Sequence, residues 1–274
     1  MNRRLDQELV GRGLARSRTQ AGKLIGEGAV SINGVVATKA SHPVAPEAGL
    51  TVAGTPTSHY VSRAALKLIS ALEAFPLVDP SGARCLDAGA STGGFTQVLL
   101  EAGAREVLAV DVGHGQLVDQ LRRDPRVQVH EGYNVRELSV DSLGGAVDLV
   151  VADLSFISLT LVLRPFAAVC VPGAQLLLMV KPQFEVGRES LAHTGVVSSE
   201  VMRRKAVTSV AVAAVEAALS LRGLAASALP GQDGNLEYFL WLGAAGEDSP
   251  DPDQTGQQSA EEFVDRYWPR RSEG

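Results

Sequence analysis

Little in this chain of 274 residues can build a redox or metal centre. Its two cysteines, Cys85 and Cys170, both sit among apolar neighbours, and its five histidines are scattered without the short spacings that ligate zinc. No metal site is expected. Long apolar runs are missing too. LVLRPFAAVCVPGAQLLLMV is broken by Arg164, Pro165, Pro172 and Gly173, and the segment 206–229 is interrupted by Glu216 and Arg222, so neither reads as a membrane span. The N-terminus MNRRLDQELV carries no apolar stretch of the secretory kind, which makes the cytoplasm the expected compartment.

What remains is an ordinary globular composition, 45% hydrophobic, enough for one large domain and something smaller. Charge is spread unevenly. Residues 1–58 hold seven Arg or Lys against four Asp or Glu, a net of +3, while the whole chain carries −6. A basic first segment is suited to a polyanion, although a solvated helical face has the same composition.

That first segment reads as its own unit. LDQELVGRGL fits a short helix, Ser17 can cap a second through RTQAGKLIGEG, and Asn33-Gly34 marks a tight hairpin turn between VSI and VVAT. GLTVAG adds a strand, and Gly-Thr-Pro-Thr-Ser at 54–58 has linker composition. Beyond it, VSRAALKLISALEAF places Leu68, Leu72 and Phe75 on one helical face, with Arg63 and Lys67 on another. Strands and helices then alternate, which predicts a parallel sheet covered on both sides. The reading has a helix over 199–222 and LEYFLWLG as the last strand, and it takes the polar tail from Ala244 as largely disordered, with FVDRYWPRR a transient helix or contact peptide.

The first strand-to-helix turn of such a sheet is LDAGASTGGFT. Its glycines, Gly89, Gly93 and Gly94, follow neither the dinucleotide fingerprint nor the phosphate-loop pattern, which argues against a pyrophosphate ligand. Asp87 just before the turn would repel phosphate and attract a sulfonium or ammonium group, which favours S-adenosylmethionine. Asp111, ending the next strand in AVDVGHG, is placed to accept from ribose hydroxyls, and Asn134 in EGYNVREL could meet an adenine edge. Asp87 and Asp111 have capping of a helix or turn as their alternative, and Asn134 could equally be a turn residue.

Two further apolar strands stop at polar residues, VDLVVADLSFIS at Asp153 and LLLMVKPQFEVG at Lys181. Adjacent strands would deliver both to one sheet edge. Glu237 stands at the start of GNLEYFLWL, where an unpaired carboxylate would cost several kcal/mol, roughly, so it needs Lys67 or Lys181 as a partner.

RLDQELVGRGLARSRTQAGKLIGEGAVSINGVVATK resembles the S-four-type RNA-binding domain. VSRAALKL, CLDAGASTGGFTQVLL, DVGHGQL, VDLVVADLSFISL, MVKPQFEVG and GNLEYFLWL together resemble the TlyA, or haemolysin-A-type, family of ribosomal RNA 2′-O-methyltransferases, with an FtsJ-like catalytic domain. The resemblance implies an α/β, Rossmann-like class I S-adenosylmethionine-dependent methyltransferase fold preceded by a small α+β RNA-binding domain. The boundaries so read are 1–54 for the RNA-binding domain, 55–60 for a linker, 61–243 for the methyltransferase domain and 244–274 for an acidic tail. It also implies a Lys-Asp-Lys-Glu tetrad at Lys67, Asp153, Lys181 and Glu237, and a cofactor site at Asp87, Gly89, Ser91, Thr92, Gly93, Gly94, Phe95, Asp111, Asn134 and Asp153. Arg4, Arg18 and Lys23, with Arg63, are the expected RNA contacts. Cytidine ribose in either ribosomal subunit is the implied target, with ribosomal RNA or subunits the implied partner. Lys181 is then the expected base, or the stabiliser of the developing alkoxide. Two other readings remain open, a non-catalytic ribosome-assembly factor and a membrane-lytic haemolysin.

Overall fold

A computed structural model describes residues 3–15, 17–26, 28–52, 59–187, 195–231, 233–245 and 257–269, without the side chains of Lys23 and Gln257. The chain divides into two compact units, Met1–Tyr60 and Val61–Gly274.

In the first unit, strand β1 (Arg3–Arg4) leads into helices α1 (Leu5–Gly11) and α2 (Arg18–Gly26). Strands β2 (Val30–Ile32), β3 (Val35–Val36), β4 (Pro43–Val44) and β5 (Leu50–Val52) follow. Ser17 Oγ accepts from the Gln20 amide and opens α2 as its capping chemistry requires. Asn33 and Gly34 both take positive φ, 50° and 83°, the turn that matches the twist of the β2–β3 hairpin. β5 adds antiparallel to β2, and β1 pairs with β4. Leu5, Leu9, Ala21, Ile25, Val30 and Val44 form the core of this unit.

The second unit opens with α3 (Ala64–Ala74) and continues as β6 (Arg84–Ala88), α4 (Gly94–Glu101), β7 (Glu106–Asp111), α5 (Asp119–Arg122) and β8 (Val127–Glu131). It then runs through β9 (Val147–Ala152), α6 (Leu163–Val169), β10 (Cys170–Val180), α7 (Pro182–Glu185), α8 (Glu200–Glu216), β11 (Ser220–Ala226) and β12 (Tyr238–Gly243), and α9 (Gln257–Tyr267) follows. The seven strands lie in the order β11-β12-β10-β9-β6-β7-β8. Neighbours from β10 across to β8 pair in parallel, and β12 alone runs the other way, antiparallel to both β10 and β11. Because β6 feeds β7 and β8 on one side and the chain returns to β9 on the other, the direction of winding switches between β6 and β9. Ligands of open α/β sheets bind in the crevice at that place.

One expectation fails here and a second is refined. The helix expected over 199–222 stops at Glu216; Ala218 takes a positive φ of 60°, and the chain turns back as the edge strand β11. Of the tail expected to be largely disordered from Ala244, residues 246–256 lie outside the described residues, while α9 overlaps the segment FVDRYWPRR expected as a transient helix or contact peptide. Its Ala260 and Val264 are fully buried on the main core, with Phe263 and Trp268 packed beside them. Three apolar side chains within one helical turn suffice to dock that helix in spite of its polar surroundings. Trp268 Nε1 donates to Glu200 Oε1, and its ring lies 5.0 Å from that of Tyr238.

Both cysteines are free, and burial pushes their thiols up to about 12, so neither is an active nucleophile.

Candidate active site

Register explains why residues far apart in the chain meet. Ala88 pairs with Ala152, Ala152 with Leu178, and Val180 with Tyr238. The residues that follow β9 and β10, Asp153 and Lys181, therefore leave the sheet at its carboxyl edge. β12 is reversed, so the residue that precedes it, Glu237, arrives at the same edge. Gly89 after β6 and Asp111 at the end of β7 complete that rim.

Two ion pairs result. Lys181 Nζ lies 2.6 Å from Asp153 Oδ1, a charge contact outside hydrogen-bond angles, and donates to Ser155 Oγ at 3.0 Å. Lys67, on the buried face of α3, donates to Glu237 Oε2 at 2.5 Å, with side chains only 8% and 2% exposed. Arg63, one turn earlier at the start of that helix, is more exposed than Lys67 but lines the same cavity, as their shared face requires. Gln183 Nε2 approaches the other Glu237 oxygen at 3.4 Å.

These groups border three adjoining cavities that all share Ser155. The largest, about 750 Å³, contains Arg63, Lys67, Lys181, Gln183, Glu185 and Glu237 on its walls together with Phe156 and Phe184. A cavity of about 230 Å³ is lined by Gly89, Ser91, Thr92, Gly94, Phe95, Asp153 and Lys181. The third, about 620 Å³, joins Gly89, Ser91, Asp111 and Asp153 with Tyr133, Asn134, Leu154, Phe156 and Ile157. Volumes and mixed walls of this kind suit small-molecule ligands.

The glycine-rich turn is crowded by protein as well as open to ligand. Gly89 has φ +87°, and a Cβ there would stand 2.9 Å from the Asp153 carbonyl oxygen, so only glycine lets the two loops at the winding switch close together. Added carbons at Gly93 and Gly94 would run into Leu121 and Ser62 respectively. Gly93 borders none of the three cavities, whereas Gly89 and Gly94 both line the small one.

Asp87 also departs from its expected place. It is fully buried beneath the turn, accepts from Thr96 Oγ1 at 2.6 Å, lines none of the three cavities, and keeps one oxygen without a partner. Burial pushes it up to about 7, opposed by the Thr96 hydroxyl and reinforced by the negative charge of Asp153 and Asp111. It supports the turn from below without touching the cavity. Asp111 accepts from the Ser91 and Gly113 amides, and Asn134 caps the turn at Val135–Glu137 by accepting from the Arg136 amide. Both do so while lining the third cavity.

Several site residues had no sequence signal of their own. Phe156 is 92% exposed on the rim shared by two cavities and takes a left-handed φ of 65°. Asn235 holds the cavity-lining segment at Gly195 by accepting from the Val197 amide and donating to the Gly195 carbonyl, and Arg203 donates to the carbonyls of Val197 and Ser198.

In the first unit, Arg4 and Arg18 both donate to buried Asp6, which they hold down at about 2, Arg4 being the larger cause. Their side chains remain 46% and 60% exposed. The Lys23 side chain lies outside the described residues. Arg63 belongs to the second unit, where it donates to the Pro230 carbonyl and faces two of the cavities.

The family model described as FtsJ-like methyltransferase matches residues 60–244, and that described as S4 domain matches residues 3–49. The 16S/23S rRNA (cytidine-2'-O)-methyltransferase TlyA of Mycobacterium tuberculosis is 52% identical over 239 residues, 87% of this chain and 89% of that protein. Hemolysin A of Brachyspira hyodysenteriae is 33% identical, covering 86% of this chain and 98% of its own. A solved structure of a hemolysin-named protein from Streptococcus thermophilus superposes with a TM-score of 0.72 at 37% identity, over 97% of this chain and 96% of that one. Among the described residues, no helix is long and apolar enough to cross a membrane, and no group of His, Cys, Asp and Glu is arranged to hold a metal ion.

Proposed function

The chain belongs to the FtsJ-like methyltransferase family and carries an S4 domain, and from that premise we propose that it transfers a methyl group from S-adenosylmethionine to a ribose 2′-hydroxyl of ribosomal RNA, with cytidine as the base. The observation that carries the reading is the meeting of two Lys–carboxylate pairs at one sheet edge, where three cavities adjoin.

The residues present suit the cofactor. The third cavity offers Asp111 for a ribose diol and the apolar walls of Leu154 and Ile157, with Tyr133 and Asn134, for an adenine ring. Gly89, Ser91 and Asp153 continue that surface into the small cavity, where Thr92, Gly94 and Phe95 would hold the amino-acid end. When bound, S-adenosylmethionine supplies an electrophilic methyl carbon on a sulfonium centre. The sulfonium would find the Asp153 carboxylate nearby rather than that of Asp87.

The large cavity takes the target nucleotide. Phe156 and Phe184, 5.3 Å apart, offer aromatic faces of the sort on which an unstacked base rests. A ribose hydroxyl is a poor nucleophile at neutral pH, and negative charge grows on its oxygen during attack. Lys181, oriented by Asp153 and Ser155, presents an ammonium group to that oxygen, a fixed charge that needs no reorganisation. The hydroxyl proton is lost to water in the cavity as the oxygen–carbon bond replaces the sulfur–carbon bond. The Lys67–Glu237 pair forms another part of the wall and fixes the position of the ribose. Alignment of hydroxyl, methyl and leaving group supplies up to about 7–11 kcal/mol of the barrier reduction. The exposed arginines of the first unit neutralise RNA phosphates, giving affinity that is salt-dependent and directed at the backbone.

The test is to incubate the protein with methyl-labelled S-adenosylmethionine and ribosomal subunits or bare ribosomal RNA, then hydrolyse with alkali. Label in an alkali-resistant dinucleotide is expected, because a 2′-O-methyl group blocks cleavage. Label in mononucleotides, as a methylated base would give, or none in RNA, would overturn the reading.

A further inference from the structure

The motif DLSFIS leaves the sheet after β9 and PQFE leaves it after β10, and the catalytic pair accounts for neither Ser158 nor Glu185. The Glu185 carboxylate is committed to the loop opposite. Its Oε2 accepts from Ser158 Oγ at 2.5 Å and its Oε1 from the Leu159 amide at 2.9 Å. Burial raises Glu185 from the usual carboxylate range, while these two donors lower it. Phe184 beside it packs against Phe156, and Lys181 at the base of α7 contacts Asp153 and Ser155. The two loops are therefore tied at both ends, and Phe156 lies between the ties.

Phe156 needs such ties. A bulky residue with φ near +65° is in a sparsely populated conformation that persists only when its surroundings over-determine it, and this one exposes nearly all of its ring. The Lys181 contacts restrain residues 153 and 155, and the Glu185 contacts restrain 158 and 159. Release of the second pair leaves the strained segment anchored on one side only.

We propose that Glu185 is a positioning residue for RNA: through Ser158 and the Leu159 amide it holds Phe156 in the left-handed conformation that presents its ring to the target base. This rests on the methyltransferase reading above. Glu185 lines the large cavity, yet both of its oxygens are engaged with the loop, so it acts through Phe156 and not on the reacting atoms.

The experiment compares Glu185→Ala, Phe156→Ala and the double variant for KM toward RNA, kcat, and cofactor affinity by calorimetry. Glu185→Ala should raise KM for RNA about ten-fold and leave cofactor affinity within about two-fold. In the Phe156→Ala background it should add less than about two-fold, because the platform is already gone. Glu185→Gln, whose carbonyl keeps one of the two bonds, should recover part of the loss. An unchanged KM for RNA, or a full increase on top of Phe156→Ala, overturns the proposal. If Glu185→Ala fails to fold, Ser158→Ala removes one tie from the other side and must itself raise KM for RNA. Wild-type protein that makes no 2′-O-methyl product refutes the methyltransferase reading instead, and the hold on the loop is then read from hydrogen exchange of the Leu159 amide. That exchange must accelerate in Glu185→Ala, or in Ser158→Ala, for the tie to stand.

Discussion

Replacing Glu237 with alanine separates what the second ion pair does for stability from what it does for chemistry. The substitution leaves the Lys67 ammonium 8% exposed at the wall of the large cavity, without its 2.5 Å partner. Breaking a buried pair from one side costs about 3–5 kcal/mol, because the remaining charge keeps its desolvation penalty. In a unit of roughly 200 residues that corresponds to a fall of about 6–20 °C in Tm. Replacing both members at once, Lys67→Met with Glu237→Leu, removes the penalty, and buried pairs exchanged for apolar side chains of similar volume are often neutral or stabilising. The single variant should therefore melt early and the double variant should melt near wild type, while neither transfers methyl groups. Thermal unfolding by circular dichroism and the alkali-resistance assay give the two readings. A single variant within about 1 kcal/mol of wild type would show that the pair is not buried as described. A double variant that regains activity with its stability would remove Lys67 and Glu237 from the catalytic apparatus.

Three other outcomes are expected. Lys181→Ala should bind S-adenosylmethionine within a few-fold of wild type by calorimetry yet lose about 10²–10⁴ in turnover, and normal turnover would take the lysine out of the mechanism. Asp87, raised to about 7, binds its proton more tightly folded than unfolded, so its contribution to stability is fully present below about pH 4 and is lost as pH rises to about 7. Asp87→Asn keeps an acceptor for Thr96, so its stability relative to wild type should climb across that interval in urea titrations, and a constant difference would refute the buried-charge account. Arg4→Gln with Arg18→Gln should weaken RNA binding and lower the slope of log affinity against log salt by roughly one for each phosphate no longer neutralised, leaving cofactor affinity unchanged.

Much of the site was legible because chemistry at a strand end is written locally. An apolar strand that stops at Asp153 or Lys181 announces a polar edge, and a glutamate opening an apolar strand announces a buried cation. The hairpin at Asn33-Gly34 was legible for the same reason, since two positive φ values demand those residues. What escaped depends on neighbours distant in sequence. The apolar content of β11 matches that of the helix before it, and only the turn at Ala218 divides them. α9 has a polar composition, and its docking rests on the few apolar residues that meet the core. Asp87 occupies the expected sheet position, but whether a carboxylate faces the cavity or the protein interior is decided by Thr96 packing above it. Phe156 gives no hint in sequence of its left-handed backbone, which follows from ties to α7.

The order in which the chain is made bears on the Lys67–Glu237 pair, whose members are 170 residues apart. On the ribosome α3 emerges long before β12, and the Lys67 ammonium must stay hydrated until the reversed strand slots between β10 and β11. The nascent domain can complete its active site only as it completes its sheet. The carboxylate that pairs with Lys67 therefore takes its place only when one late strand closes the sheet.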